Sequence, residues 1–136
     1  MHLITGDIPS EIEVEITVPD DVEGRMDPRR IQQVLLNLII NAVFAMEDQD
    51  GGRLTISAFK DSQAHAFVFT VEDTGKGIKE EHLAKIFDPF FTTREVGKGS
   101  GLGLSIIHGI IEQHGGTINV DSSLGHGTIF TVSLPD

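Results

Sequence analysis

Residues 67–78 read FVFTVEDTGKGI, a strand pattern that runs into an aspartate and two glycines. Apolar residues at every second position from Phe67 to Val71 are typical of a strand with one buried face. Asp73 stands at the end of this run, and Gly75 and Gly77 are too permissive to continue a strand. The stretch therefore predicts a strand that ends in a carboxylate, followed by a loop that backbone or ligand can approach closely.

Upstream of this strand, the sequence predicts a strand, a helix and a further strand. Residues Ile12 to Val18 alternate apolar with polar. Asp27-Pro28 supplies an N-cap and a proline at the first helical position, and the apolar run Ile31 to Met46 predicts a helix buried on most of its circumference. That helix stops before Gly51-Gly52, and Leu54 to Ala58 has the strand alternation again.

Downstream, the sequence predicts a short helical stretch, a long loop, a helix and a closing hairpin. These are Glu80 to Ile86, Asp88 to Gly103, Leu104 to His114, and Thr117 to Val120 with Thr128 to Leu134. Strand pairs separated by single helices predict an α/β fold, a two-layer sandwich of a mixed β-sheet with helices packed on one face.

The composition predicts a single soluble domain over residues 1–136. Ten Lys and Arg against 21 Asp and Glu give a formal charge of -11, which repels nucleic acid and anionic lipid, so neither partner is expected. The chain has no cysteine, and its longest apolar stretch, Val34 to Met46, is too short to span a bilayer. We expect a cytoplasmic location, or the cytoplasmic part of a membrane-bound sensor, without direct membrane contact.

Asn37 and Asn41 are the only polar residues between Val34 and Met46, and with Gln33 one turn earlier they share a helix face. A buried amide needs hydrogen-bond partners, so the pair either bonds to neighbouring backbone or meets a ligand or cation. Asp73 raises a similar choice. An ionised carboxylate only accepts hydrogen bonds and suits a ligand amine such as that of adenine, but Asp-Thr-Gly is also an ordinary turn.

Residues 97–105 read GKGSGLGLS and lead straight into the predicted helix from Leu104. Free backbone N–H groups and the helix dipole at such a start bind phosphate. Lys98 and Arg94 lie beside these glycines and are candidates to neutralise phosphate charge. The spacing fits neither the P-loop nor the dinucleotide fingerprint, and a flexible hinge with solvated charges is the alternative.

Five segments together resemble the superfamily of ATPases that includes gyrase, heat-shock chaperones, histidine kinases and MutL. They resemble its N box, G1 box, F box, G2 box and C-terminal glycine motif at Asn37–Ala42, Asp73–Ile78, Phe87–Thr93, Gly99–Leu104 and Gly125–Phe130. Each segment is short, but their shared order over roughly residues 27 to 134 is specific.

The resemblance implies a role for each matching residue. Asn41 would coordinate Mg²⁺ with Asn37 beside it, Asp73 would accept from the adenine amine, and Thr128 would support the adenine end. The remaining implied ATP contacts are Gly75, Gly77 and Ile78 near the base, and Gly99, Ser100, Gly101, Leu102, Gly103 and Leu104 around the phosphates. Phe87 to Gly97 would form a lid over ATP.

The residue type at position 37, here asparagine, distinguishes subfamilies of this ATPase superfamily. ATP-hydrolysing members and anti-sigma serine kinases usually carry a glutamate there as general base, and an amide cannot take a proton. The chain instead resembles a sensor histidine kinase of the nitrogen-regulatory type, with Phe44-Ala45 where a basic and an aromatic residue often follow. Such kinases phosphorylate a histidine that is followed by an acidic residue. No histidine of this chain has that context; they are His2, His65, His82, His108, His114 and His126.

We therefore expect a catalytic domain that gives the γ-phosphoryl group of Mg-ATP to a histidine on a separate helical dimerisation domain of the same kinase. A response regulator would receive the group from that domain, and the isolated chain would be monomeric. The alternatives are a serine kinase of the anti-sigma type and a nucleotide-responsive module without catalysis.

Overall fold

A computed structural model describes residues 12–17, 28–46, 51–63, 65–88 and 103–135. In chain order the elements are β1 (Ile12–Thr17), α1 (Pro28–Ala45), β2 (Gly52–Asp61), β3 (Ala66–Asp73), α2 (Glu80–Leu83), α3 (Gly103–Gln113), β4 (Thr117–Ser122) and β5 (Thr128–Pro135). Every predicted helix and strand is present. Val18, Asp27 and most of the predicted long loop, residues 89–102, lie outside the described residues.

The five strands form one mixed sheet in the order β1-β2-β3-β5-β4. β1 is parallel to β2, and all other neighbours are antiparallel. A parallel pair needs a crossover connection, which α1 supplies. α1 packs on β3 and α3, and α3 packs on β4, so the helices share one face of the sheet. The predicted two-layer α/β sandwich is confirmed.

The core consists of rows of side chains that run across the strands on the helix-covered face. One row is Ala58, Phe69, Val132 and Ile118, and the next is Ile56, Val71, Phe130 and Val120. In the following row Leu54 still belongs to the core, but Asp73, Thr128 and Ser122 then continue it as polar residues. The helix-covered face thus changes from apolar to polar within one row, at the end of three adjacent strands.

Two predicted features differ in the structure. α1 has one exposed stripe that includes apolar residues, since Leu36 and Ile40 remain 37% and 40% exposed. The sheet and α3 cover only part of the helix surface. The helical stretch near Glu80 ends at Leu83 rather than Ile86, because Lys85 donates to the carbonyl of His82 three residues earlier, which is a turn and not an α-helical bond.

No helix among the described residues has both the length and the apolar character needed to cross a membrane.

Candidate functional site

Asp73 lies at the polar end of the core, at the last position of β3, and is only 4% exposed. Its Oδ1 accepts a hydrogen bond from the backbone N–H of Gly75 at 2.8 Å, and its carboxylate also accepts from the backbone N–H of Thr128. Burial raises the pKa of Asp73 to about 6, and these two hydrogen bonds offset part of that rise. The side chain is therefore an ionised but poorly solvated acceptor at neutral pH.

Glycines allow three backbone segments to meet around Asp73. Gly127 has a φ of +82°, and a Cβ there would clash with the backbone carbonyl of Asp73. A Cβ on Gly75 would lie 2.5 Å from the carbonyl oxygen of Ala45, to which the N–H of Lys76 donates at 3.0 Å. The loop after β3 is thereby held between the end of α1 and the start of β5, as the sequence predicted for a close backbone approach.

Thr128 and Ser122 complete the polar row. Thr128 is 4% exposed and lies directly opposite Asp73 on the neighbouring strand, so the two side chains share a face. The Oγ atoms of Ser122 and Thr128 lie 2.8 Å apart. Ser122 also accepts from the backbone N–H of Ile78 at 2.8 Å and donates to the carbonyl of Gly127 at 2.9 Å. Ile78 is thus fixed to the row through Ser122.

Asn37 and Asn41 lie along one flank of α1, as predicted from their spacing, and both side chains are half-buried. The Nδ2 atom of Asn37 donates to the carbonyl of Gln33 at 3.1 Å, and that of Asn41 donates to the carbonyl of Asn37 at 3.0 Å. The backbone partners considered from the sequence are therefore present. Because the amide nitrogens are used in this way, the amide oxygens are the atoms with which the pair could coordinate a cation.

The predicted phosphate-binding segment is described only at its end. Gly103 is the first residue of α3, and Leu104 packs against the core. Arg94, Lys98, Gly99, Ser100, Gly101 and Leu102 lie outside the described residues, as does most of the predicted lid. Phe87, the first lid residue, packs against the core, and its ring centroid lies 5.1 Å from that of His108 on α3.

The sequence prediction missed Ser122 and did not single out Gly127 as a site residue. A usable signal for Ser122 was the alternation Ile118, Val120, Ser122, which places its hydroxyl on the same face as the core. Its contact with Thr128 depends on the register of β4 and β5, which the sequence does not give.

The sequence matches the family model described as "Histidine kinase-, DNA gyrase B-, and HSP90-like ATPase" over residues 26–136. The sensor histidine kinase ZraS of Salmonella typhi is 43% identical over 99% of this chain. The matched region makes up 28% of the length of ZraS, so the chain spans little more than a quarter of that relative.

Solved histidine kinase structures have the same fold. The catalytic domain of histidine kinase ThkA superposes with a TM-score of 0.79 at 35% identity, covering 92% of this chain and 80% of ThkA's. Full-length ShkA in complex with AMPPNP superposes with a TM-score of 0.83 at 29% identity, covering 98% of this chain and 28% of ShkA's.

Proposed function

Because the chain belongs to the family of histidine kinase-, DNA gyrase B- and HSP90-like ATPases, we propose that residues 1–136 form one ATP-binding domain that presents the γ-phosphate to a histidine on another domain of the same kinase. The observation that carries this proposal is the buried, ionisable Asp73 at the polar end of the core. A carboxylate in such a place costs stability, which is accounted for if it binds a ligand amine.

The base would lie against Asp73. Its carboxylate would accept from the 6-amino group of adenine, a charge-assisted hydrogen bond of about 1.5–3 kcal/mol. Thr128 shares the face of Asp73, and Gly75 and Gly77 let the loop that follows Asp73 pass close to the backbone of Ala45 and Ser123. Guanine would place a carbonyl against the carboxylate, so we infer selectivity for adenine nucleotides.

Asn41, with Asn37 beside it, would hold Mg²⁺ through the amide oxygens. Oxygen is the ligand type that Mg²⁺ prefers, and this ion is usually held by few protein groups together with waters and substrate phosphates. Two amide oxygens fit that role, and among the described residues no cluster of three acidic or histidine side chains offers another site. When bound, Mg²⁺ would neutralise phosphate charge on a chain whose own charge is -11.

The phosphates would follow α1 toward the start of α3. Gly99 to Leu104 would surround them with backbone N–H groups, and Arg94 and Lys98 would add positive charge. The lid from Phe87 would close over the nucleotide, anchored where Phe87 meets His108.

Transfer would need no base from this chain. A neutral imidazole nitrogen would form the new bond to the γ-phosphorus as the bond to the bridging oxygen breaks and ADP leaves. Asn37 stands where a general base would stand, and its amide cannot take a proton from water or a serine hydroxyl. The domain's contribution would be to position ATP and neutralise charge.

The acceptor histidine would lie on a helical dimerisation domain outside this chain, and a response regulator would receive the group from there. We further propose a cytoplasmic site of action, a monomeric isolated chain and, from Phe44-Ala45, a kinase of the nitrogen-regulatory type.

The test is incubation with radiolabelled Mg-ATP, with and without a purified dimerisation domain of the same kinase. We expect no label on the chain alone, and an acid-labile phosphohistidine on the added domain. Acid-stable label on a protein serine would support the serine kinase instead. Tight ATP binding with no transfer to that domain would leave a nucleotide-responsive module.

A further inference from the structure

The direction of each hydrogen bond around Ser122 follows from its three partners. A hydroxyl donates one hydrogen bond and can accept two. The backbone N–H of Ile78 can only donate, at 2.8 Å, and the carbonyl of Gly127 can only accept, at 2.9 Å. The single proton of Ser122 therefore goes to Gly127. The third contact, 2.8 Å to Thr128, is satisfied only if Thr128 donates.

The opposite assignment is unfavourable. If Ser122 donated to Thr128, its oxygen and the carbonyl oxygen of Gly127 would face each other at 2.9 Å without a proton between them. Gly127 is buried, so its carbonyl would also lose the hydrogen bond that replaces water, at a cost on the order of 1–3 kcal/mol.

The proton of Thr128 is thus committed to Ser122, and the Oγ1 atom of Thr128 can only accept further hydrogen bonds. Asp73, directly opposite, is also an acceptor when ionised. The polar end of the core therefore offers acceptors alone, from two side chains that share one face. Its complement is a group that only donates, such as an exocyclic amine, and a carbonyl in the same place would be opposed.

We propose that Ser122 is a positioning residue for base selectivity: it holds the Thr128 hydroxyl as an acceptor, so that the site takes 6-amino purines and rejects 6-oxo purines. This inference rests on the proposed function, in which the purine lies against Asp73. Ser122 itself acts through Thr128 and does not touch the base.

The experiment compares Mg-ATP with Mg-ITP, whose inosine base carries a 6-oxo group in place of the amine. Calorimetry gives both dissociation constants for the wild type, Ser122→Ala and Ser122→Thr. The matched control is Ser57→Ala, because Ser57 and Thr70 form another cross-strand hydroxyl pair, on the open face of the same sheet. Circular dichroism verifies the fold of each variant.

In Ser122→Ala the proton of Thr128 is released and can donate to the 6-oxo group. We expect the preference for ATP over ITP to fall by about fivefold, the equivalent of one hydrogen bond of about 1 kcal/mol. Ser122→Thr and Ser57→Ala should keep the wild-type preference. An unchanged preference in a folded Ser122→Ala would overturn the inference while leaving ATP binding intact, whereas a wild type that does not bind Mg-ATP would overturn the proposed function as well.

If Ser122→Ala does not fold, Thr128→Val decides the matter, because valine keeps the shape and removes the hydroxyl. Loss of an acceptor should weaken ATP more than ITP and lower the preference. A preference that rises would show that Thr128 donates to the base, contrary to the inference.

Discussion

Replacing Asp73 with asparagine should stabilise the nucleotide-free protein at neutral pH and weaken ATP binding. The pKa of Asp73 is raised from 3.8 to about 6, so the folded state binds this proton more tightly than the unfolded state. Stability from this group is therefore greatest at low pH, falls as the pH rises through the interval from 3.8 to 6, and stays low above it. The full difference corresponds to about 3 kcal/mol.

Asparagine is neutral and escapes this cost, but it cannot replace every contact. Its one oxygen can still accept from the N–H of Gly75, but asparagine has one acceptor oxygen where the carboxylate has two, so we expect a loss of about 1 kcal/mol among these contacts. We expect Asp73→Asn to be about 2 kcal/mol more stable than the wild type at pH 8, with the advantage gone by pH 4. ATP should bind about ten- to a hundredfold more weakly at pH 8.

Urea unfolding of both proteins from pH 4 to pH 8 tests the stability claim, and calorimetry with Mg-ATP tests the affinity. Comparing the two proteins at each pH cancels the titration of other groups. A mutant less stable than the wild type at pH 8, or a difference that does not vary with pH, would refute the idea that burial of the Asp73 charge costs stability.

Three further outcomes are expected. In urea unfolding, Gly127→Ala should lower the free energy of unfolding by about 1–3 kcal/mol more than Gly125→Ala. Both glycines have a positive φ, but only a Cβ at Gly127 would clash with backbone, that of Asp73. Equal losses would contradict the close approach of Gly127 to β3. Asn41→Ala should reduce the ratio of ATP affinities measured with and without Mg²⁺, and an unchanged ratio would remove this residue from the metal. Ile56→Ala, at a 2% exposed position, should cost about 2–5 kcal/mol in urea unfolding, while Phe59→Ala, 47% exposed, should cost under about 1; similar losses would contradict the one-sided core.

The fold was predictable from the sequence because its strands have one buried face. Alternation in β3 and β5 marks the rows of the core, and the same alternation carries Asp73 and Thr128 onto the buried face. The loop predicted from Gly75 and Gly77 is present after β3. These features are local, so a single segment of sequence contains the signal.

What the sequence could not give depends on contacts between distant segments. The bonds of Ser122 require the register of β4 against β5 and the position of Ile78, 44 residues away. The pKa of Asp73 is raised because the folded chain buries its carboxylate. Leu36 and Ile40 are exposed because neither the sheet nor α3 covers that side of α1. An apolar residue in a helix predicts burial only as a tendency, because its actual burial depends on whether another helix or a sheet packs against it.

The close contact between the loop after β3 and the end of α1 fixes how far each residue of that helix lies from the loop. Ala45 is fixed to Lys76 by a 3.0 Å hydrogen bond and lies against Gly75, just beyond Asp73. From Ala45 the helix rises about 1.5 Å per residue, which sets Asn41 about 6 Å and Asn37 about 12 Å back along its axis. One residue inserted between Asn41 and Ala45 would turn both asparagines by about 100°. The distance along the helix axis from the loop beside Asp73 to the two amides is therefore set by the number of residues of α1 between them.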